Sequence, residues 1–225
     1  MLETLLRTST ILFPVVLAIT LHEAAHGYVA WKLGDQTALR LGRVTFNPLR
    51  HIDPLGTIIL PIILYFSTGY LFGWAKPVPV NVGNFRNPRR DMMWVALAGP
   101  GANMALALLA AMLIHLNNLL TGSVQQWVEG NLANAVLINV ALAVFNMLPL
   151  PPLDGGRVVV GLLPEVLARP FMQLERIGLF VLIGIVFILP LIMAQAGYTF
   201  NPLTWVMGPA IDATIEAIGY LTGHL

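Results

Sequence analysis

The chain has 225 residues and a formal net charge of +1; 57% of it is hydrophobic and 10% charged, where a soluble domain carries about 25% charge. That balance excludes a soluble enzyme on a single anchor, and with no basic run longer than Arg89-Arg90 it excludes a nucleic-acid partner. Cysteine is absent, so disulfides, thiolate ligands and a cysteine nucleophile are excluded, and any metal must be held by His, Asp, Glu or other oxygen donors.

A helix crosses the hydrocarbon core in about 20 apolar residues, which places the first spanning helix at 9–33. Arg7 followed by apolar Ile11–Leu21 resembles a secretory leader, but the run continues through Ala24, Ala25, Val29 and Leu33 and is too long for a cleaved segment. Inside it lies His22-Glu23-Ala24-Ala25-His26, with Glu23 the only formal charge between Arg7 and Lys32. An ionisable residue at bilayer depth costs roughly 2.5–3.5 kcal/mol on insertion scales and marks function by default. Residues four apart on a helix sit about 40° apart and roughly 6 Å along the axis. His22 and His26 can therefore share one tetrahedral zinc, with Glu23 near enough to take a proton from an attacking water. In a soluble helix the same pattern arises readily by chance; in a bilayer no solvent satisfies three polar side chains.

Next along the chain, Leu39–Phe46 reads as strand-like, and Pro77-Val78-Pro79-Val80-Asn81-Val82 alternates with period two, as an edge strand would. An edge there could receive an extended substrate by strand addition. Between them, segment 55–73 contains Pro61, Ser67, Thr68 and Gly69, so its uninterrupted apolar part is short. If it spans, Lys and Arg divide eight to four between the faces; if it dips in and returns, eleven fall on one face and Arg7 alone on the other. The positive-inside rule favours re-entry, with the N-terminus outside and loops 34–54 and 74–92 cytosolic.

Further spanning helices are expected at 93–117, 131–150 and 177–196, with 203–222 a less certain last apolar segment. Within 93–117, Asn103 is expected to make a buried interhelical hydrogen bond. Asp154 is the best candidate for a third metal ligand. It follows a helix broken by Pro149, Pro151 and Pro152 and precedes Gly155-Gly156, where backbone can approach closely. A helix N-cap or plain turn residue near Arg157 explains it equally well. His51 and Asp53 read as a polar loop, His115 and His224 as residues at segment ends.

His22–His26, Ala98-Gly99-Pro100 with Asn103, and Asn146-x-x-Pro149-x-x-x-Leu153-Asp154-Gly155 together resemble the site-2 protease family of intramembrane zinc metalloproteases. Phe46-Asn47-Pro48, His51-Ile52-Asp53-Pro54 and Gly73-Trp74-Ala75-Lys76-Pro77-Val78-Pro79 are similar to its compact branch without a PDZ domain. The resemblance covers roughly 10–165. It implies that His22, His26 and Asp154 bind one zinc per chain, that Glu23 is the general base, and that Asn146 hydrogen-bonds the substrate backbone or developing oxyanion. It also implies a transmembrane protein substrate, cut in a bacterial or archaeal cell membrane by a site facing the cytosol.

The expected fold is an α-helical polytopic membrane protein of four to six transmembrane helices with a small re-entrant or membrane-associated β element. It forms a single domain over 1–225, with its core at 10–165 and accessory C-terminal helices at 166–225. A metal transporter or sensor is the alternative function. That reading wants ionisable residues in several helices, whereas Arg, Lys and Asp are absent within 94–117 and 132–150.

Overall fold

The first apolar run becomes one unbroken helix, α1, over Leu2–Lys32, with Glu3 in its first turn and Lys32 in its last, each favourable to the helix dipole. The structure is a computed structural model and describes residues 2–68, 73–198 and 201–224. After α1 come a short helix α2 (Thr37–Arg40), then α3 (Leu60–Thr68), α4 (Pro88–Ile114) and α5 (Gly122–Asn146). The C-terminal part holds α6 (Asp154–Leu162), α7 (Glu165–Gln173), α8 (Glu175–Ile183), α9 (Leu189–Gln195) and α10 (Pro202–Thr222).

Among the described residues, four helical stretches are long and apolar enough to cross a membrane: Glu3–Lys32, Pro88–Leu119, Gly122–Asn146 and Ile177–Gln195. They match the four expected spans. Helix α5 starts nine residues earlier than expected because its polar beginning is satisfied by α1: Trp127 donates to Ser9 Oγ at 2.8 Å and Asn134 to the Thr10 carbonyl at 2.9 Å. The 203–222 segment is helical too and packs on α4 and α5, Ile218 being buried with Ala107, Ala111 and Val140.

Helices α1, α4 and α5 pack against one another, and α6 lies on α4. Their contacts are built largely on alanine, with Ala18, Ala24, Ala96, Ala107, Ala111 and Ala143 all buried. Small residues let backbones approach closely, which is how helices associate where lipid removes the hydrophobic drive. Large apolar side chains such as Leu12, Phe13, Leu109 and Phe180 are exposed, as a lipid-facing surface requires.

The expected β element is absent: no strand forms among the described residues. At 39–46, Asp35 accepts hydrogen bonds from both the backbone and the hydroxyl of Thr37, which starts α2 instead. Gly42, at φ +64°, then turns the chain so that Arg43 N–H reaches the Ala38 carbonyl. Segment 77–81 carries no regular secondary structure, and Val82 opens a 3-10 turn over Val82–Asn84. Pro77 and Pro79 have no N–H, Val78 N–H goes to Glu23 Oε2, and Asn81 N–H goes to Asp35 Oδ2. Side chains have taken two of the four donors that 77–82 has.

Segment 55–73 is helical over 55–68, a π-helical turn over Pro54–Ile59 leading into α3; residues 69–72 lie outside the described ones. Its two ends meet: Trp74 N–H donates to the Gly56 carbonyl at 3.1 Å and Thr57 Oγ1 to the Trp74 carbonyl at 2.9 Å. The chain thus leaves and returns at one place.

Candidate metal centre

On the buried side of α1, His22 and His26 present their Nε2 atoms 3.0 Å apart, with the rings edge to face at 87°. Asp154, the first residue of α6, brings Oδ2 to 3.3 Å from His22 Nε2 and 3.2 Å from His26 Nε2. The imidazoles and the carboxylate are all buried, and their three donor atoms lie within 4.8 Å of one another.

Which ring nitrogens carry protons follows from their other partners. His26 Nδ1 donates to the Val95 carbonyl at 2.7 Å, and His22 Nδ1 donates to Asn103 Oδ1 at 2.6 Å. The Asn103 amide cannot be turned around, because its Nδ2 donates to Asn139 Oδ1 and the Ala18 carbonyl. Asn139 is fixed in turn by donating to the Ala135 carbonyl. With Nδ1 spent on these partners, each imidazole in its neutral form offers Nε2 as its lone-pair nitrogen, and the buried Asp154 Oδ2 faces both. Two imidazole nitrogens and a carboxylate oxygen thus converge on one point. That arrangement is costly empty and suits a divalent cation; two His and one Asp are a donor set zinc takes with a position left for water or substrate.

Glycines make the convergence sterically feasible. A side chain at Gly99 of α4 would overlap both imidazoles, and one at Gly155 would overlap the carbonyls of Met147 and Leu148. The turn after α5 can therefore press against the start of α6 and deliver Asp154.

Glu23, on the same turn of α1, is half-buried, and its Oε2 accepts from Val78 N–H at 2.9 Å. Val78 also lines a cavity of about 330 Å³ shared by Val80 and Val82, Met92 of α4, and Gly156 and Val160 of α6. Asn146 is not drawn into the histidine cluster: it ends α5, and its Nδ2 donates to the Leu142 carbonyl at 3.0 Å.

A scan of family models matches the chain to peptidase family M50 over residues 10–191. The chain belongs to that family. Among curated relatives, "Putative zinc metalloprotease YwhC" of Bacillus subtilis is 37% identical over 181 residues, 79% of each chain. "Putative zinc metalloprotease Rip2" of Mycobacterium tuberculosis is 28% identical over 193 residues, 85% of this chain and 70% of the relative. No solved structure matches. M50 membership makes the chain a metalloprotease of the membrane, as the site-2 protease resemblance implied.

Sequence reasoning placed Asn103 in a buried interhelical hydrogen bond but not on a histidine, and it missed Asn139. The asparagines inside apolar helices, Asn103, Asn134 and Asn139 among them, were the available signal, since each must find a partner. His51 lies in a loop, as expected, but is buried there, with Nε2 donating to the Thr45 carbonyl at 3.1 Å, and Asp53 caps the Pro54 turn.

Proposed function

We propose that this M50 protein is an intramembrane zinc metalloprotease that hydrolyses peptide bonds in or near transmembrane segments of membrane-protein substrates. Regulated proteolysis or clearance of membrane remnants are the roles this suits. The observation that carries the reading is the meeting of three buried donor atoms, on His22, His26 and Asp154, next to the Glu23 carboxylate that Val78 N–H holds. These three residues hold one zinc per chain. When bound, zinc polarises the scissile carbonyl and acidifies water.

The remaining work belongs to the chain. Glu23 takes the proton of the attacking water and returns it to the leaving amine. Val78 N–H holds that carboxylate in place beside the cavity. Asn146 hydrogen-bonds the substrate backbone or the developing oxyanion, exchanging its present bond to Leu142 for one to substrate. A substrate helix hides its amides within its own ladder and must open before a carbonyl is attackable. The valines at 78, 80 and 82 offer an apolar wall to the opened segment. By the distribution of Lys and Arg its active site faces the cytosol, in the bacterial or archaeal cell membrane that the site-2 protease resemblance implies.

The test compares wild type with Glu23→Gln, reconstituted with a panel of membrane-embedded substrates, measuring zinc beside cleavage. One zinc per chain in both proteins is expected, with cleavage by the variant down by about 10²–10⁴-fold, the range for loss of a general acid–base. Equal cleavage by both would remove Glu23 from the mechanism; metal flux in place of cleavage would favour transport.

A further inference from the structure

A second cavity, of about 450 Å³, opens on the loops that precede and follow α3, away from the histidine cluster. Arg43, Arg50 and Lys76 line it together with Leu41, Leu49 and Pro79, and no acidic residue does. The backbone holds the cations together: Lys76 N–H donates to the His51 carbonyl, next to Arg50, and Arg43 Nη2 donates to the Lys76 carbonyl at 2.6 Å. Arg43 is only 7% exposed, and its Nε is buried without a partner. None of the three forms an ion pair among the described residues. Like charges gathered around one cavity, one of them almost fully buried, are costly unless an anion answers them.

We propose that Arg43, Arg50 and Lys76 form a binding site for a phosphate-bearing anion, supplied by the headgroup of an anionic phospholipid. A lipid is favoured over free phosphate because the cations are rimmed by apolar side chains: Leu41 is 58% and Leu49 72% exposed, which suits acyl chains beside a headgroup. Basic pockets at the cytosolic edge of membrane proteins hold anionic headgroups in this way. The site also touches the catalytic apparatus, a step that rests on the function proposed above. Arg43 Nη2 reaches the Pro77 carbonyl at 3.4 Å, and the N–H of that same peptide unit, on Val78, holds Glu23. A bound anion that fixes Arg43 thereby fixes the peptide that orients Glu23.

The test uses the full chain in nanodiscs of phosphatidylcholine, with and without phosphatidylglycerol, and compares wild type with the Arg50→Gln/Lys76→Gln double variant. Arg43 is left intact because it holds the loop. Phosphatidylglycerol retained through exchange into phosphatidylcholine is counted by mass spectrometry, and cleavage is followed in the same discs. Two cations at about fivefold each predict roughly 25-fold weaker retention by the variant. They also predict that phosphatidylglycerol accelerates cleavage by wild type alone. Inorganic phosphate is titrated separately. If it binds wild type with the same loss in the variant while phosphatidylglycerol does not, the anion is soluble and the lipid assignment is overturned. Equal retention by both proteins, or retention by neither with no phosphate binding, overturns the site. Retention without acceleration overturns the link to Glu23. Retention with no cleavage in any arm counts against the proteolytic reading and leaves the anion site standing.

Discussion

Two pairs of histidines sit at different places in this protein, and only one pair suits a metal. His22 and His26 spend Nδ1 on Asn103 and Val95, stand edge to face, and leave both Nε2 atoms aimed at Asp154. His115 and His224 are stacked at 4° with centroids 4.0 Å apart, and they spend Nε2 on the Thr222 and Ala111 carbonyls. Each of these last two leaves its own helix end and donates to a carbonyl of the other helix, tying the C-terminal ends of α4 and α10 together. The first pair is buried and carries a carboxylate; the second is exposed and has none. What separates a ligand pair from a clasp is which nitrogen the surrounding structure consumes, and whether an unprotonated oxygen waits beside the other.

The largest expected effect that tests this contrast is at the carboxylate. Asp154→Ala should lower zinc occupancy and cleavage together, each by at least tenfold, as read by metal analysis and substrate assay; zinc retained at wild-type level would mean the histidines bind without it. Next comes the residue that sets the tautomer. Asn103→Ala should weaken zinc affinity by about 10–100-fold, the usual cost of losing a hydrogen bond behind a metal-ligating histidine. A chelator competition would measure it, and an unchanged affinity would detach Asn103 from the centre.

The clasp should respond in the opposite sense. His115→Ala or His224→Ala is expected to leave zinc untouched and to cost about 0.5–1.5 kcal/mol, the net worth of one hydrogen bond, seen as a lower midpoint of thermal unfolding. Zinc loss in either variant would break the distinction between the pairs. The smallest effect concerns a buried polar group serving neither pair. Burial acts to raise the Asp35 carboxyl, but hydrogen bonds from Thr37, Asn84 and Asn81 outweigh it and hold it below its usual 3.8. A carboxyl lowered in the folded state stabilises above its ordinary value and loses that contribution as pH falls through its lowered one. The stability difference between wild type and Asp35→Asn should therefore be greatest at neutral pH and shrink in acid; a difference that grows in acid would reverse the sign.

Much of this was legible in the chain because the signals are local. Four spans followed from apolar runs, and the histidine pair followed from a spacing that fits one turn of helix. Asp154 was ambiguous for a physical reason: a carboxylate before two glycines caps a helix as well as it binds a metal. Only its approach to Nε2 atoms 128 and 132 residues away in sequence distinguishes the two. The β reading of 77–82 failed for the same kind of reason. Alternation there is real, but whether it becomes a strand depends on free N–H donors, and two of them, on Val78 and Asn81, are claimed by Glu23 and Asp35 from another part of the chain.

The sequence by itself determined the membrane class, the spanning helices and the placing of a His-Glu-x-x-His turn within the first of them, since hydrophobic length and helical period are written in consecutive residues. Tertiary structure alone decided that Asp154 completes the triad, that Asn103 and Asn139 select the tautomer of His22, and that three cations share one cavity beside the loop that holds Glu23. Those outcomes depend on which distant groups meet and which donors are already spent, and no window of the chain contains that information.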